Sequence, residues 1–396
     1  MRVVRIQSRI CVGGPALHSI LLSEGLSHRN GSRYDTILLG GALEPGEHSM
    51  EELADARGVE IRTVRSMRRP VRPSADAAAV AELVRVLREV KPHIVHTHTA
   101  KAGAVGRLAA RLAGVPIVLH TFHGHVFDGY FSKRKTQVFL QVERGLARVT
   151  DRILAISDQQ RRDLVDTYRI APSSKVGVVP LGLDLRRFRE VLPRAARGPL
   201  RAEFGIPDGH QVVVTVGRMV PIKRFDLLIR SFTALSRQDV HLVLVGEGES
   251  RAELERQADG HPRIHFTGLR RDLPEIYADA DLMALSSDNE GTPVAVIEAL
   301  ASGLPVVATD VGGVRDIMRS GMGRIVPPGQ TESLTAALQA GLAEARPLQA
   351  MLRDDVVRRY SHERLLSDIE RLYDGLVRDR VNRKGAGSLK VRESLR

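Results

Sequence analysis

The chain has 396 residues, 43% hydrophobic and 27% charged, which is length enough for two ordinary domains and the composition of a folded protein rather than a disordered one. A single cysteine, Cys11, excludes an intramolecular disulfide and reads as a small buried hydrophobe near the end of the first strand. There is no run of about 18 apolar residues and no secretory leader, so a cytoplasmic protein is expected. The formal charge of +12 asks for an anionic partner; with no aromatic residues interleaved among the basic ones and no nucleic-acid motif, a membrane surface ranks ahead of nucleic acid.

Strands and helices alternate from the start. Val3 to Ile10 reads as a strand broken by Gly13-Gly14-Pro15, and a helical pattern follows through Leu17, Ile20, Leu21 and Leu26. A glycine pair there lets backbone approach a ligand, or simply makes a tight turn. Residues 34–39 and 59–64 are strand-like, and 75–90 has helical spacing with Ser74 as a cap. Strand 94–98, helix 100–112, strand 117–121, helix 135–147, strand 153–156, a helix to Tyr168 and strand 176–179 complete the first half. This alternation specifies a parallel sheet covered by helices on both faces, with ligands beyond the carboxyl ends of its strands.

From Asp184 to Gly205 the pattern lapses, with Pro193 and Pro199 as breakers, and reads as a linker. It then restarts: strand 212–216, helix 225–235, strand 241–245, helix 251–258, strand 264–267, helix 273–278 and strand 282–285. The stretch EGTPVAVIEALASGLPVVATDVGG, Glu290 to Gly313, follows. Here Thr292 is expected to cap a helix starting at Pro293, and Gly303 to close it in the left-handed conformation. Strands at 306–308 and 325–326 come next. The expected division is an amino-terminal domain at 1–188, a carboxy-terminal domain at 189–360, a helix at 361–378 and a basic disordered tail at 379–396.

Several side chains are chemical candidates. Glu290 and Glu298 place two carboxylates beside the free helix amides of Val294 and Ala295, a combination of hydroxyl acceptors and anion donors that suits a phosphorylated sugar. Arg218 and Lys223 leave the strand at 212–216 in the turn GRMVPIK, where cations can neutralise a diphosphate or simply be solvated. Histidines cluster at His96, His98, His120, His123 and His125. Their spacings match no helical metal pair and no cysteine or acid joins them, so a zinc site is not expected. His123 is the one expected to face a ligand, and His120 to be structural. Asp279 and Asp281 read as capping or solvated residues rather than a metal pair, and no metal is expected.

Taken in order, GGPALHS, IVHTHTAKAGAVGRLAA, HTFHGH, VPLGLDLRRF, VGRMVPIKRFDLLI, VGEGE, FTGLRRDLPEIY and the two-glutamate stretch resemble the retaining glycosyltransferases of family 4. The resemblance implies the GT-B architecture, an α/β fold of two facing Rossmann-like doubly wound parallel-sheet domains with a cleft between them and a last helix crossing back to the first domain. It implies that Gly13 and Gly14 offer backbone to a donor diphosphate, that Arg218 and Lys223 bind its phosphates, and that Glu298 holds ribose hydroxyls. Glu290 would hold a sugar hydroxyl, the Gly291, Thr292, Pro293 and Val294 backbone would line sugar and phosphate, Leu269 and Arg270 would frame the base, and His123 would sit beside the reacting carbon. Thr292-Pro293 departs from the frequent aromatic-glycine pair, which removes one backbone amide. Leu181-Gly182, in place of the frequent asparagine-glycine, is read as neutral.

The activity implied is metal-independent transfer of one sugar, with retention, from a nucleotide-sugar substrate to an acceptor hydroxyl, with no cofactor. A UDP-sugar ranks ahead of a GDP-sugar. The acceptor expected is a saccharide or lipid-linked saccharide of bacterial surface polysaccharide, met at the inner face of the plasma membrane, where the clusters at Arg65, Arg68, Arg69 and Arg72 and at Lys133, Arg134 and Lys135 favour an anionic surface. A nucleotide-sugar epimerase or hydrolase of the same fold and an inactive nucleotide-sugar-binding subunit are the alternatives.

Overall fold

The computed structural model describes residues 1–27, 31–44, 47–68, 70–124, 133–190 and 198–393. It divides into two units, Met1–Leu183 with His362–Arg396, and Asp184–Ser361. The first holds seven parallel strands: β1 Arg2–Gln7, β2 Asp35–Gly41, β3 Ile61–Val64, β4 Ile94–His98, β5 Ile117–Phe122, β6 Arg152–Ala155 and β7 Val176–Val178. Their order is β3-β2-β1-β4-β5-β6-β7. The second holds β8 Gln211–Val216, β9 Val240–Val245, β10 Ile264–Gly268, β11 Leu282–Leu285, β12 Val306–Thr309 and β13 Gly323–Val326, ordered β10-β9-β8-β11-β12-β13. In each sheet the winding reverses beside the first strand, at β1/β4 and at β8/β11. Such a reversal splays the helices apart and leaves room for a ligand at the strands' carboxyl ends.

The two sheets bury different chemistry. Strands β8, β9 and β11 are near-continuous apolar runs, such as VVV in β8 and LVLV in β9, as a sheet covered on both faces requires. In the first unit the central strands bury Arg5, Gln7, His96, Thr97, His98, His120 and Thr121. The parallel register sets Arg5 beside His96, Gln7 beside His98, and His98 in turn beside Thr121. With two-residue alternation, one face carries Arg5, Gln7, His96 and His98, and the other carries Thr97 and His120. His120 is structural: its ring bonds Thr97 Oγ1 through Nδ1 at 2.9 Å and lies against Gly103, where a Cβ would come within 2.4 Å of its Cε1. The helix Ala100–Leu112 can pack this close only because Gly103 has no side chain.

Several expectations are corrected. The helix expected to open at Ser74 starts at Pro73, and no side chain caps it. The linker at Asp184 to Gly205 contains two short helices, Arg186–Glu190 and Pro199–Glu203, on either side of residues 191–197, which include Pro193 and lie outside the description. Its Arg201 is fully buried because it meets both aspartates of the ADAD string, Asp279 at 3.1 Å and Asp281 at 2.9 Å. That pair anchors the segment: the buried Asp279 caps the helix Pro199–Glu203 by accepting the Arg201 amide in its first turn at 3.0 Å, and Asp281, 28% exposed, accepts the Val212 amide at 2.8 Å. Cys11 is half-buried, bridged to Ser49 beyond the end of β1.

The last helix, His362–Glu393, begins by burying Leu365, Ile369 and Tyr373 in the core of the first unit. It runs past residue 378, where a disordered tail was expected. Arginine and lysine are good helix formers, and a helix already nucleated by docked turns extends at little cost.

Candidate active site

At the β8/β11 end of the second unit the turn after β8 is tied to its neighbours by backbone. Gly217 and Met219 donate to Val245 and Glu247 carbonyls at 3.0 and 2.8 Å, and Asp288 donates to Ile222 at 2.9 Å. Ser286 Oγ donates to the Lys223 carbonyl at 2.9 Å. The turn is thus positioned by the exits of β9 and β11, which fixes where its cations can reach.

Lys223 Nζ meets Glu290 Oε1 at 2.6 Å, and Ser287 Oγ donates to the same oxygen at 2.6 Å. Residues expected to serve phosphate and sugar separately are therefore one hydrogen-bonded group. Arg224 is engaged by Asp226 and Asp288, at 3.0 and 2.9 Å, whereas Arg218 is exposed. The Gly312 loop closes over Glu290: Gly312 has φ +51°, and a Cβ there would lie 1.9 Å from the Glu290 carbonyl oxygen. Gly313 donates to the Gly291 carbonyl at 2.8 Å. A side chain at 312 would be both strained and in collision.

The helix after Glu290 is Val294–Ala301, with Pro293 as its N-cap residue and no side-chain cap. Thr292 does not cap it as expected: proline in that place, with φ −70° and ψ 106°, starts the helix one residue later. Val296 and Ile297 donate back to the Pro293 carbonyl at 3.2 and 3.4 Å, so the half-exposed Val294 and Ala295 supply the amides that precede the helical ladder. Gly303 adopts the left-handed conformation expected of it, φ +85°.

Glu298, on the same helix, is 8% exposed. Its side-chain partner is the Tyr277 hydroxyl at 3.5 Å, too long for a strong bond. Burial raises its carboxyl to about 7, opposed by the charge of Arg187 and by Tyr277. A buried carboxylate so weakly satisfied is a natural acceptor for ligand hydroxyls. Leu269 is 58% exposed; Arg270 is held by Asp272 at 2.7 Å and by Glu203.

At the β1/β4 end of the first unit, Gly13 is the N-cap residue and Gly14 the first residue of the helix Gly14–Gly25. One turn on, that helix buries His18 against His123 and His98, with ring centroids at 4.8 and 5.6 Å. His98 Nδ1 and His123 Nε2 are 3.0 Å apart. Beneath them His96 bonds the Tyr373 hydroxyl at 2.8 Å and Thr121 Oγ1 at 2.7 Å. Arg5 reaches the same Tyr373 hydroxyl at 3.4 Å and Ser23 Oγ at 3.5 Å. Burial pushes His18, His96, His98 and His120 well below the ordinary histidine value, and His123 to about 3. These rings are neutral. His125 lies outside the described residues.

Sequence reasoning missed His18, Arg5, Tyr373, Ser287 and Tyr277. A polar residue inside an otherwise apolar strand, as in RVVRIQ, was a usable signal for Arg5. Tyr373 carried no comparable signal, because nothing local says where its hydroxyl ends.

Residues 12–187 match the family model described as Glycosyltransferase Family 4, and residues 210–344 match Glycosyl transferases group 1. The chain is 32% identical over 338 residues to the GDP-mannose-dependent alpha-mannosyltransferase of Mycobacterium tuberculosis, covering 82% of this chain and 84% of that one. It is also 32% identical over 247 residues to the UDP-Gal:alpha-D-GlcNAc-diphosphoundecaprenol alpha-1,3-galactosyltransferase of Escherichia coli, covering 60% of this chain but only 63% of that protein. Among solved structures, Anabaena HepE in complex with UDP-glucose superposes with a TM-score of 0.79 at 21% identity, over 95% of this chain and 100% of that one. Sucrose-phosphate synthase of Thermosynechococcus elongatus gives 0.80 at 22%, over 96% and 100%. The fold is thus the pair of Rossmann-like parallel-sheet domains of the GT-B class. The chain belongs to glycosyltransferase family 4.

Proposed function

We propose that the chain is a retaining hexosyltransferase that moves one sugar from a nucleotide-sugar donor to an acceptor hydroxyl. The observation that carries this reading is the group at the β8/β11 end: Glu290 held by both Lys223 and Ser287, Glu298 buried on the following helix, and Arg218 exposed on the adjoining turn. Glu298 accepts the ribose hydroxyls and Glu290 a sugar hydroxyl. Arg218, Lys223 and the amides of Val294 and Ala295 take up charge as the diphosphate leaves, the work that a metal performs in other transferases. Gly291, Thr292 and Pro293 line the sugar, and the exposed Leu269 covers the base. The Gly13–Gly14 turn and His123 act in the same reaction. The leaving phosphate oxygen takes the acceptor's proton on the face it departs from.

A UDP-sugar is the first donor to test and a GDP-sugar the second, since relatives named for UDP-Gal and for GDP-mannose both align with the chain. The acceptor we infer is a lipid-linked saccharide, the class named in the Escherichia coli relative. The helix Lys133–Arg148 supports contact with an anionic membrane surface: it exposes Lys133, Arg134, Lys135 and Arg148 together with Val138 and Val142, while its one acid, Glu143, is buried on Arg107 at 2.7 Å. Among the described residues no helix is long and apolar enough to cross a membrane.

A donor panel screened by thermal shift, followed by product analysis with a diphospholipid-linked acceptor, tests the reading. One nucleotide sugar should raise the melting temperature and yield a glycosylated lipid with the donor's anomeric configuration. An epimer formed without acceptor, or an inverted product, would contradict it.

A further inference from the structure

The pair His98 and His123 has a proton to place between its facing nitrogens, and the surroundings decide where it goes. Their ring centroids are 5.2 Å apart and the facing nitrogens 3.0 Å. The difference is about the width of one imidazole, so the rings meet head-on, as in an N–H···N bond. Ligand nitrogens of His18, His98 and His123 also lie within 4.8 Å of one another, so a shared metal ion is the alternative that the zinc titration below decides. Both rings are neutral, so each carries one proton. If His123 donated from Nε2, His98 would carry its proton on Nε2, an atom that is buried with no partner. An orphaned buried N–H is the more costly defect; a bare lone pair is tolerated better. The positive charge of Arg5 also acts on His98, and a nearby cation favours a lone pair over a second N–H.

We infer that His98 is a positioning residue: it donates its Nδ1–H to His123 Nε2 and so fixes His123 as the tautomer that carries its proton on Nδ1. Two of the pair's four nitrogens face each other and His98 Nε2 is shut away, which leaves Nδ1 of the half-exposed His123 as the atom a ligand can meet. His123 then acts as a neutral hydrogen-bond donor to a ligand oxygen and never as a base. This rests on the reading that His123 faces the reacting sugar. It fits a transfer in which the leaving phosphate, not the protein, accepts the proton. His18 packs edge-on against both rings at 4.8 and 5.6 Å and restrains their rotation. Among the described residues, the groups that face the pair are His18 from the helix Gly14–Gly25, Arg5 from β1, His96 from β4 and, through His96, Tyr373 from the last helix. None is an acid, so nothing there favours a second proton on either ring.

The test is long-range nitrogen NMR of the full chain labelled with 15N-histidine, with His123 assigned by His123→Ala. His123 should show a protonated Nδ1 and a bare Nε2, unchanged between about pH 6 and 8, the range over which an ordinary histidine titrates. His98→Asn, whose amide can donate from the same place, should keep this signature and stay within about threefold of the native kcat. His98→Phe should lose it and lower kcat about tenfold or more with little change in donor KM. A proton on His123 Nε2, titration of His123 within that range, stoichiometric binding of added zinc to the three histidines, or equal damage from the asparagine and phenylalanine variants would overturn the inference. If the chain proved to be no transferase, the NMR result would still decide the tautomer; if His98→Phe failed to fold, the native spectrum alone would decide it.

Discussion

The two strand-order reversals have the same topology and opposite electrostatics. At β8/β11 an acid pairs with a base, Glu290 with Lys223, and a second acid, Glu298, is left buried with little support. At β1/β4 there is no acid among the described residues of the group: the neutral imidazoles of His18, His96, His98 and His123 pack against one another beside Arg5, which meets hydroxyls of Tyr373 and Ser23. The fold determines where a ligand can bind, and the side chains decide what each end can do. The first end can only donate or accept hydrogen bonds without changing charge. The second can grip hydroxyls and answer charge.

The contrast should be most visible in acid. A histidine whose folded value is depressed is stable as the neutral ring, and that stability is lost as pH falls through the free value near 6.5. Among the described residues, five such rings lie in the first unit: His18, His96, His98, His120 and His123. Below that value they cost about 7 kcal/mol per pH unit together, comparable with the whole stability of a domain. The first unit should therefore unfold between about pH 5 and 6. Among the described residues of the second unit the depressed histidines are His241, at about 4, and His265, so it should survive further. Proteolysis during an acid titration would show which unit opens; simultaneous opening would break the comparison.

Next in size are the cation and acid at β8/β11. Lys223→Ala and Glu290→Ala should each lower transfer by about 10²-fold or more, the usual cost of deleting one group that answers transition-state charge, without loss of fold by circular dichroism. Near-native rates would remove these residues from the site.

Glu298→Gln should separate stability from function. The folded carboxyl sits at about 7 against an ordinary 4.5, so its charging penalises the fold progressively as pH rises through that window and fully above it. The variant should be more stable by up to about 3 kcal/mol at pH 8, with the advantage gone below pH 4.5. Thermal melts at the two pH values measure this. A variant less stable at pH 8 would mean that the carboxylate is better satisfied than its one long bond indicates.

The smallest effect expected is that of Gly312→Ala, which pushes a methyl group toward the Glu290 carbonyl. A loss of about 1–3 kcal/mol, with weaker donor binding in titration calorimetry, would show that the loop holds Glu290 in place.

How much of this was legible in the sequence follows the same divide. The second unit was read well because its central strands β8, β9 and β11 are near-continuous apolar runs and its candidate site residues sit mainly on one contiguous stretch and one turn. There the N-cap residue was misplaced, Thr292 for Pro293, and the supporting Ser287 and Tyr277 were missed. The first unit's strands were also found, yet its polar interior was not, because His18, Arg5 and Tyr373 come from three distant segments and meet only through register and packing. Arg201 escaped notice for the same reason: inside a proline-broken stretch it looked like solvated charge, and only the fold brings Asp279 and Asp281 to it.

The central claim is that the β8/β11 end holds a nucleoside diphosphate and its sugar. Calorimetric titration of the best donor from the panel into native protein and Glu298→Ala at pH 8 tests it most directly. The claim predicts a single site in the native protein and affinity about tenfold or more weaker in the variant, the cost of losing charged hydrogen bonds to the ligand. Equal affinity in the two proteins would contradict it.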